Sequence, residues 1–486
     1  MQAFYALPFL LAFSLVSGCD NTGEPPPVGR LVFPIAVAIS PDGNHLFVAN
    51  SNFDLRYNAG SLHSYDLSVL NTALDQVLMA CDPTENECGI IPMEDERDDL
   101  LDGIEPVAGL LVDQVRIGSY VDGMAIAPRG DGARIYMPVR SEANLTYLQS
   151  NAVGCFDCGA AIDCTVNRDA LGRACTDDHR RGDDEAATLR DIALPADPVG
   201  VTVGPLRDIV RGDSTDPGDG SYVLFAHRDG RASLFFDQAE GDDDAPVLVH
   251  TLAGLPTELV DITVEPSTQL AWLPSALNPV VGRVGIAFDG ATMEPERSYL
   301  YNAGDLFVRG VDTGTVTRGD TRVVRFDPRP GVQRAYILSR RPRALLVADT
   351  SDTISNVEVI DAIEVGFGPS RLEVVSFARG TAEDPDAERT LAFISCYDSR
   401  DVYAIDVDLG RLVGIVRGLG GPFELAVDAP RERLYVLDFR SSVIRVIDLA
   451  PMFDCLDDRN PTMREAECSP RQLGVVGRPV AVTELR

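Results

Sequence analysis

The sequence has no lysine, one tryptophan and five histidines among 486 residues. All 42 basic residues are therefore arginines, and they stand against 75 aspartates and glutamates, giving a net charge of −33. Without lysine the chain has no Schiff-base amine and no P-loop lysine. The acidic field repels nucleic acid and anionic membrane surfaces, so we expect no nucleic-acid partner.

Catalytic signatures are equally scarce. The histidines are scattered over the chain, at His45, His63, His179, His227 and His250. No His-Glu-x-x-His pair, haem-binding Cys-x-x-Cys-His run, Gly-x-Ser-x-Gly elbow or Walker loop occurs. We therefore expect no cofactor and no bound metal.

The N-terminus carries a targeting segment. Met1–Ser17 is apolar but too short to span a bilayer. The run Val16-Ser17-Gly18-Cys19 resembles the bacterial lipobox, which implies that residues 1–18 are a lipoprotein signal peptide and that Cys19 carries the lipid. The alternative is an ordinary cleaved signal with an incidental cysteine. Both interpretations place the chain outside the cytoplasm.

Residues 19–30 are polar and include the stiff run Pro25–Pro27, which predicts a short tether. The remaining residues, 31–486, are predicted to form a single domain. The expected location is the bacterial cell envelope, in the periplasm or on the outer surface, with attachment to the membrane through the lipid on Cys19.

One unit of short strands recurs along the chain. It contains an apolar strand, a turn, a strand rich in aromatic and β-branched residues, a third strand that often ends in aspartate, and a fourth that leads into glycine or proline. Copies begin at Pro34, Val121, Pro198, Leu259, Arg322, Pro369 and Pro422. Turns such as Pro-Asp-Gly and Arg-Asp-Gly between alternating apolar residues predict hairpins of antiparallel strands.

Four-stranded units that pack only on their neighbours must close into a ring. We therefore predict an all-β chain with no long helix, folded as a β-propeller of seven four-stranded blades with disulfide-bearing loop insertions. Six and eight blades are the alternatives, because the copies that begin at Leu259 and Arg322 are degenerate. Both chain ends carry the same strand junction, so one of them should complete a shared blade. We expect blade one to begin at Pro34 and a last strand, Val480 to Leu485, to close the ring.

Two of the copies point to a family. Phe47-Val48-Ala49-Asn50 and Leu434-Tyr435-Val436-Leu437-Asp438 follow turns of the Ser-Pro-Asp-Gly type and resemble the YVTN repeat family of bacterial β-propellers. The resemblance extends over nearly all of the mature chain and implies the fold, but it leaves the function open. The single Trp272 argues against quinoprotein propellers, whose blades repeat tryptophan motifs.

Most cysteines fall in predicted connections between the third and fourth strands of a blade. The disulfide candidates are Cys81 and Cys88 in blade one, Cys155, Cys158, Cys164 and Cys175 in blade two, and Cys455 and Cys468 in blade seven. Even counts outside the cytoplasm favour disulfides, with three pairings open in blade two. Zinc is the alternative, but the spacing does not repeat a Cys-x2-Cys knuckle. Cys396 stands alone in a strand and is expected to be a free, buried thiol.

These insertions are expected to project from one face or rim of the ring, with the cysteines of blade two on an exposed loop between Tyr147 and Leu189. The acidic runs beside them lack the ligand spacing of a calcium loop, so we expect solvated loops.

Polar residues near the start of each first strand predict a site at the central channel. Aligning the copies places Ala36, Gly123, Gly200, Asp261, Val323, Arg371 and Glu424 at equivalent positions, with Arg325 and Glu373 two residues further along. Asp261, Arg371 and Glu424 are predicted to converge at one mouth of the channel. The functional interpretation is a polar ligand or cation site, and the alternative is an internally paired channel.

The first functional hypothesis is a monomeric, non-catalytic scaffold that binds an envelope protein or a glycan. The alternative is a propeller lactonase or gluconolactonase that uses carboxylates at the channel, for which Asp261, Glu373 and Glu424 are the candidates.

Overall fold

The structure is a computed structural model, and it describes residues 23–80, 90–91, 107–159, 164, 171–182, 192–209, 220–238, 245–278, 280–288, 297–309, 319–351, 356–379, 388–457 and 469–477. Cys19, Cys81, Cys88, Cys468 and the predicted closing strand from Val480 to Leu485 lie outside these residues.

The strands of the first three blades follow one another along the chain. In blade one β1 is Pro34–Ile39, β2 is His45–Asn50, β3 is Gly60–Asp66 and β5 is Leu111–Ile117, and β4, Ile90–Ile91, lies in the insertion before β5. In blade two β6 is Ala125–Arg129, β7 is Gly132–Val139, β8 is Asn144–Ser150 and β11 is Arg180–Arg181, with β9, Phe156–Asp157, and β10, Arg173–Ala174, in the insertion. In blade three β12 is Pro198–Pro205, β13 is Ser221–His227, β14 is Arg231–Asp237 and β15 is Val247–Ala253.

The remaining blades repeat the pattern. In blade four β16 is Thr263–Val264, β17 is Ala271–Pro274, β18 is Val280–Phe288 and β19 is Ser298–Arg309. In blade five β20 is Asp320–Phe326, β21 is Arg334–Arg341, β22 is Arg343–Asp349 and β23 is Asn356–Glu364. In blade six β24 is Pro369–Ala378, β25 is Glu388–Cys396, β26 is Asp401–Asp406 and β27 is Arg411–Val416. In blade seven β28 is Pro422–Asp428, β29 is Arg433–Asp438, β30 is Val443–Asp448 and β31 is Arg471–Val476. The helices are α1, Leu67–Ala80, α2, Leu206–Ile209, and α3, Ala450–Asp457.

Each blade is an antiparallel meander whose four principal strands pair in sequence. The middle strands are almost fully buried because each is covered by neighbouring blades on both of its faces, as in HLFVAN of β2 and SYVLFAH of β13. Apolar clusters join consecutive blades, and one cluster joins blade one to blade seven through residues such as Val48 and Tyr435. This architecture is the predicted all-β propeller.

The meander fixes which connections share a face. Connections between the second and third strands lie on the same side of the ring as the connections between blades, and we call this side the upper face. Connections between the first and second, and between the third and fourth, strands lie on the lower face. The first strand of each blade lines the channel and starts at the upper face.

The first and last blades meet through side chains at the start of β1. The Phe33 N–H donates to Ser442 Oγ at 3.2 Å, and the Phe33 and Phe439 rings lie 5.1 Å apart. Leu31 packs into the cluster that joins the two blades. Blade seven takes its fourth strand, β31, from its own segment, so no shared blade occurs among the described strands.

The insertions add strands to the rims of other blades. Within the insertion of blade two, β10 pairs in parallel with β5, the outer strand of blade one. Within the insertion of blade one, β4 pairs in parallel with β31, the outer strand of blade seven. Each insertion therefore covers the exposed edge of the preceding blade, which leaves fewer unpaired backbone groups at the rim.

The cysteines of blade two form two crossed disulfides. Cys155 pairs with Cys164 and Cys158 with Cys175, at Cα–Cα distances of 5.6 and 4.8 Å. All four side chains are buried, and Cys158 and Cys175 belong to the apolar cluster between blades one and two. The expectation of disulfides is confirmed for these four cysteines, but they are not exposed as expected, because they are buried and two of them pack into the cluster between two blades.

Two further sequence expectations are corrected. Blade two ends earlier than predicted, since β11 pairs with β8 at Arg180–Arg181 rather than near Leu189. A helix of 14 residues, α1, also interrupts the all-strand pattern. Asp66 caps it by accepting the N–H groups of Ser68 and Val69, and its buried leucines pack against blades one and seven. No helix among the described residues is long and apolar enough to cross a bilayer.

A buried carboxylate contributes to the contact between blades two and three. Asp237, at the end of β14, is 1% exposed and accepts hydrogen bonds from Arg129, Arg134 and Tyr136, all in blade two, at 2.7 to 2.9 Å. Two guanidinium groups and one phenol therefore depend on one side chain of the neighbouring blade.

We expect the disulfide between Cys158 and Cys175 to stabilise the protein because it closes a loop and fixes β10 on the rim of blade one. Replacing both residues in a Cys158→Ser/Cys175→Ser variant should lower the free energy of unfolding by about 2–4 kcal/mol, measured by denaturant titration. A Cys396→Ser variant is the control, because the buried thiol of Cys396 forms no disulfide. An unchanged denaturation midpoint in the double variant would contradict the assigned role.

Candidate functional site: the channel mouth

The channel residues predicted from sequence lie close together at the upper face. Arg371 and Glu373 are in β24, Arg325 is in β20 and Glu424 is in β28, while Asp261 precedes β16. In β20 and β24 the pairing register shifts near the strand start, and residues that follow the shift point into the channel. The structure therefore brings together side chains from blades four to seven.

These side chains form ion pairs. Arg325 Nη1 donates to Asp261 Oδ2 at 2.7 Å, and Arg325 Nε lies 3.9 Å from Glu373 Oε1. Arg371 Nε donates to Glu424 Oε2 at 2.9 Å. Each arginine thus links first strands of different blades.

Arg371 also reaches across the channel. Its Nη2 donates to Asp122 Oδ1 at 3.4 Å, and Asp122 belongs to blade two. Asp122 in turn lies 3.6 Å from Arg140, which donates to Asp197 at 2.5 Å. Arg228 continues the series, 3.8 Å from Asp197. These contacts and the ion pairs above connect nine residues, which we call the channel network. Its members are Asp122, Arg140, Asp197, Arg228, Asp261, Arg325, Arg371, Glu373 and Glu424.

Sequence alignment of the copies missed the half of the network in blades two and three. Gly123 was aligned with Arg371, although the residue that meets Arg371 is its neighbour Asp122. One-residue irregularities in the first strands change which residues face the channel, and an alignment of the repeat copies does not show these irregularities. Arg140 and Asp197 lie in connections rather than in first strands, so strand alignment does not find them.

Besides Gly123, three of the aligned positions do not supply polar groups. Ala36 and Val323 are buried between blades, at 1% and 0% exposure, rather than facing the channel. Gly200 has a φ of +63°, and a Cβ there would lie 2.8 Å from Asp261 Cα. Glycine is therefore required at this position, where the first strands of blades three and four approach each other.

The network contains five carboxylates and four guanidinium groups, so one carboxylate is in excess. Burial, reinforced by the nearby carboxylates Glu424 and Asp261, raises the pKa of Glu373 to about 7. Burial also raises the pKa of Glu424 and of Asp122, although the Arg371 guanidinium opposes the rise in both cases. Burial acts to lower the pKa of Arg371, but Glu424 and Asp122 outweigh it and raise that pKa. Glu373 is thus the group that exchanges a proton near neutral pH.

An aromatic cluster borders the network. Arg371 lies over the Phe423 ring, 4.5 Å from its centroid, and Phe423 contacts Phe439 at 6.0 Å. We call the connected rings the aromatic shelf. Its members are Phe33, Phe53, Tyr120, Tyr397, Phe423 and Phe439. Phe53 is 54% exposed, so the shelf reaches solvent on the upper face.

Two histidines serve the interior of blades. Burial lowers the pKa of His63 to about 3 and that of His227 to about 4, so both rings are neutral at physiological pH. His63 bridges Ser61 and Tyr65 within its strand, at 2.9 and 2.8 Å. No group of metal-ligating side chains occurs among the described residues.

The lone Cys396 is free and buried in β25, as expected. Burial raises the pKa of its thiol to about 12, so the reactive thiolate is absent at neutral pH.

A cavity of about 480 Å³ lies on the lower face between blades two and three. Pro128, Arg129, Val203, Pro205 and Arg207 contribute to its walls, and no carboxylate lines it. It is therefore remote from the carboxylates of the channel network.

We expect a Glu373→Gln variant to gain stability over the wild type as the pH rises. Glu373 has a raised pKa in the folded protein, so its contribution to stability is complete below pH 4.5 and is lost as the pH rises through 7. The neutral amide of the variant avoids that loss. The free energy of unfolding of the variant should therefore exceed that of the wild type by about 1–2 kcal/mol at pH 8 and should be nearly equal to it at pH 5. The figure is reduced for screening by water in the channel.

Thermal unfolding at both pH values measures this difference. Glu424→Gln is the control, since it leaves Arg371 without its nearest carboxylate and should destabilise the protein at both pH values. A Glu373→Gln variant with the same Tm difference at pH 5 and pH 8 would show that Glu373 titrates normally.

No family model matches the sequence, and a search of curated proteins returns no match. Among solved structures, the periplasmic gluconolactonase of Pseudomonas aeruginosa is 11% identical, with a TM-score of 0.46 over 79% of this chain and 84% of that one. A putative 6-phosphogluconolactonase from Bacteroides uniformis is 13% identical, with a TM-score of 0.42 over 78% and 82%. The β-propeller domain of Cps50 (Swd1) from Myceliophteria thermophila is 8% identical, with a TM-score of 0.47 over 87% and 98%. All three scores are below 0.5, so the fold assignment rests on the sheet topology described above.

Proposed function

We propose that the protein is a lipid-anchored, extracytoplasmic β-propeller that acts as a binding scaffold at the bacterial cell envelope. Its partner is an envelope protein or a glycan, and the protein is not an enzyme. The lipobox-like run that ends at Cys19 supports the anchor. The two crossed disulfides support an oxidising compartment, because such bonds persist outside the cytoplasm.

The pairing of the channel network is the observation that favours binding over catalysis. Asp261 and Glu424 are the carboxylates that a hydrolase would need, and each accepts a direct hydrogen bond from an arginine. A carboxylate held by a guanidinium is a weaker base and nucleophile than a free one. Arg371 bridges opposite sides of the mouth through Glu424 and Asp122, which gives the network a structural role.

The rim provides the rigid support that a scaffold needs. Backbone pairing of β10 with β5 and the buried disulfides fix the insertion of blade two against blade one. Loops that start from a fixed base lose less conformational entropy when a partner binds.

One observation favours a lactonase as the second candidate. The pKa of Glu373 is about 7, which suits a general acid or base at neutral pH, and its side chain is 30% exposed. The Glu373 carboxylate is held less closely by an arginine than those of Asp261 and Glu424, because its Oε1 lies 3.9 Å from Arg325 Nε.

Affinity purification from membranes, followed by mass spectrometry, tests the scaffold. We expect enrichment of a defined envelope protein or glycan with the wild type, together with an acylated peptide that begins at Cys19. Recovery of the acylated protein with no enriched partner would contradict the binding function, and an unmodified Cys19 would contradict the anchor.

A panel of lactones tests the alternative. We expect no hydrolysis above the uncatalysed rate with the purified wild type at pH 7. Hydrolysis that falls at least tenfold in both Glu373→Gln and Glu424→Ala variants, while an Asp408→Asn variant on the lower face retains it, would establish the enzyme and overturn the scaffold.

A further inference from the structure

We propose that the upper face of blades five, six, seven and one is the surface that lies against the lipid bilayer. This inference rests on the proposed lipid anchor at Cys19, and it adds an orientation that the anchor alone does not give. The occupant of this surface is therefore the headgroup region of an anionic membrane.

The path of the N-terminal segment gives the first reason. The carbonyl of Glu24 accepts a hydrogen bond from the Asn58 N–H at 3.0 Å, in the upper-face connection between β2 and β3. Four residues lie between Cys19 and Glu24, and the five Cα–Cα steps that join them span at most about 17 Å when fully extended. A lipid on Cys19 therefore keeps this connection within about 17 Å of the bilayer.

Apolar side chains at the same place give the second reason. Phe53 and Leu55 lie in the connection that holds Glu24, and they are 54% and 52% exposed. Phe367 projects from the connection between blades five and six and is 61% exposed. Phe53 rests on Phe33 and Phe439 of the aromatic shelf, so it is presented on a firm base. Exposed aromatic rings of this kind partition into the membrane interface.

Arginines surround these apolar side chains. The upper-face connections of the four blades, counted with the strand residues that flank them, contain six arginines: Arg56, Arg341, Arg343, Arg400, Arg417 and Arg440. Their carboxylates are Asp54, Glu364, Asp398, Asp401 and the fully buried Asp438, and the exposed Glu24 of the N-terminal segment adds one more. The accessible groups of this surface thus carry a positive excess, whereas the whole chain carries −33. Arginines near a bilayer are attracted by anionic lipids.

Three acidic runs of the sequence belong to segments whose flanking strands end at the lower face. Glu94–Asp99 lies between β3 and β5, Asp242–Asp244 between β14 and β15, and Glu383–Asp386 between β24 and β25. Asp183–Glu185 is the exception, since it follows β11 and precedes β12, and these strands belong to blades two and three. These three runs hold 11 of the 75 acidic residues, and the strands that flank them end away from the proposed surface, which lessens the repulsion expected from the net charge.

Amide hydrogen exchange tests the orientation. The lipidated protein in nanodiscs that contain anionic phospholipid is compared with the full chain carrying Cys19→Ala, in solution. We expect several-fold slower exchange in the nanodisc for peptides from residues 51–59 and 365–368, and unchanged exchange for residues 407–410 on the lower face.

Matched substitutions separate this surface from the anchor. A Phe53→Asp/Phe367→Asp variant should lose the slowed exchange, whereas Leu409→Asp, at a lower-face residue that is 58% exposed, should retain it.

Intact mass must show lipid on Cys19 in every nanodisc sample, and its absence would refute the anchor rather than the orientation. Slowed exchange at residues 407–410 instead, or equal exchange in both states of the lipidated wild type, would overturn the proposal. Slowed exchange that requires an added envelope extract would identify a protein as the occupant and would also overturn it.

Discussion

A ring of antiparallel sheets must cover the outer edge of every blade, and much of this structure follows from that requirement. An outer strand with unpaired N–H and C=O groups invites pairing with another chain. Here the segment that follows the third strand of one blade covers the edge of the blade before it. Two cases use parallel backbone pairing, β10 on β5 and β4 on β31. In a third case Met452 and Pro470 of blade seven pack beside Gly414 in β27 of blade six. Between blades four and five the outer strands pair directly, β19 with β23.

Edge coverage explains the position of the described disulfides. A two-residue strand such as β10 is too short to hold itself in place, so Cys158–Cys175 fixes it from within the apolar cluster, and Cys155–Cys164 adds a second cross-link in the same insertion. The cysteines thus belong to the framework of the ring. At the channel, ion pairs hold blades together instead. Arg371 there connects blades two, six and seven through its ion pairs with Asp122 and Glu424.

Much of the fold was predictable because the repeats have strong turn and strand signals. Strands β1, β12, β24 and β28 begin at the prolines that open the repeat copies. Helix α1 was missed because a single helix within a long insertion has no counterpart in the other copies. The parallel pairing of β10 was missed because a strand of two residues carries no period. In the channel, Asp261, Arg325, Arg371, Glu373 and Glu424 were found by alignment, whereas Asp122 was displaced by one residue at a strand irregularity.

The seams between blades differ in what holds them. Blades one and two share the backbone hydrogen bonds between β10 and β5, and the two disulfides lie within the insertion that carries β10. At the seam of blades two and three, Asp237 alone receives Arg129, Arg134 and Tyr136. Loss of that carboxylate would leave two arginines and a phenol without their shared acceptor. One substitution at Asp237 would therefore disturb three side chains of the neighbouring blade at once, while the apolar cluster of the same seam would remain.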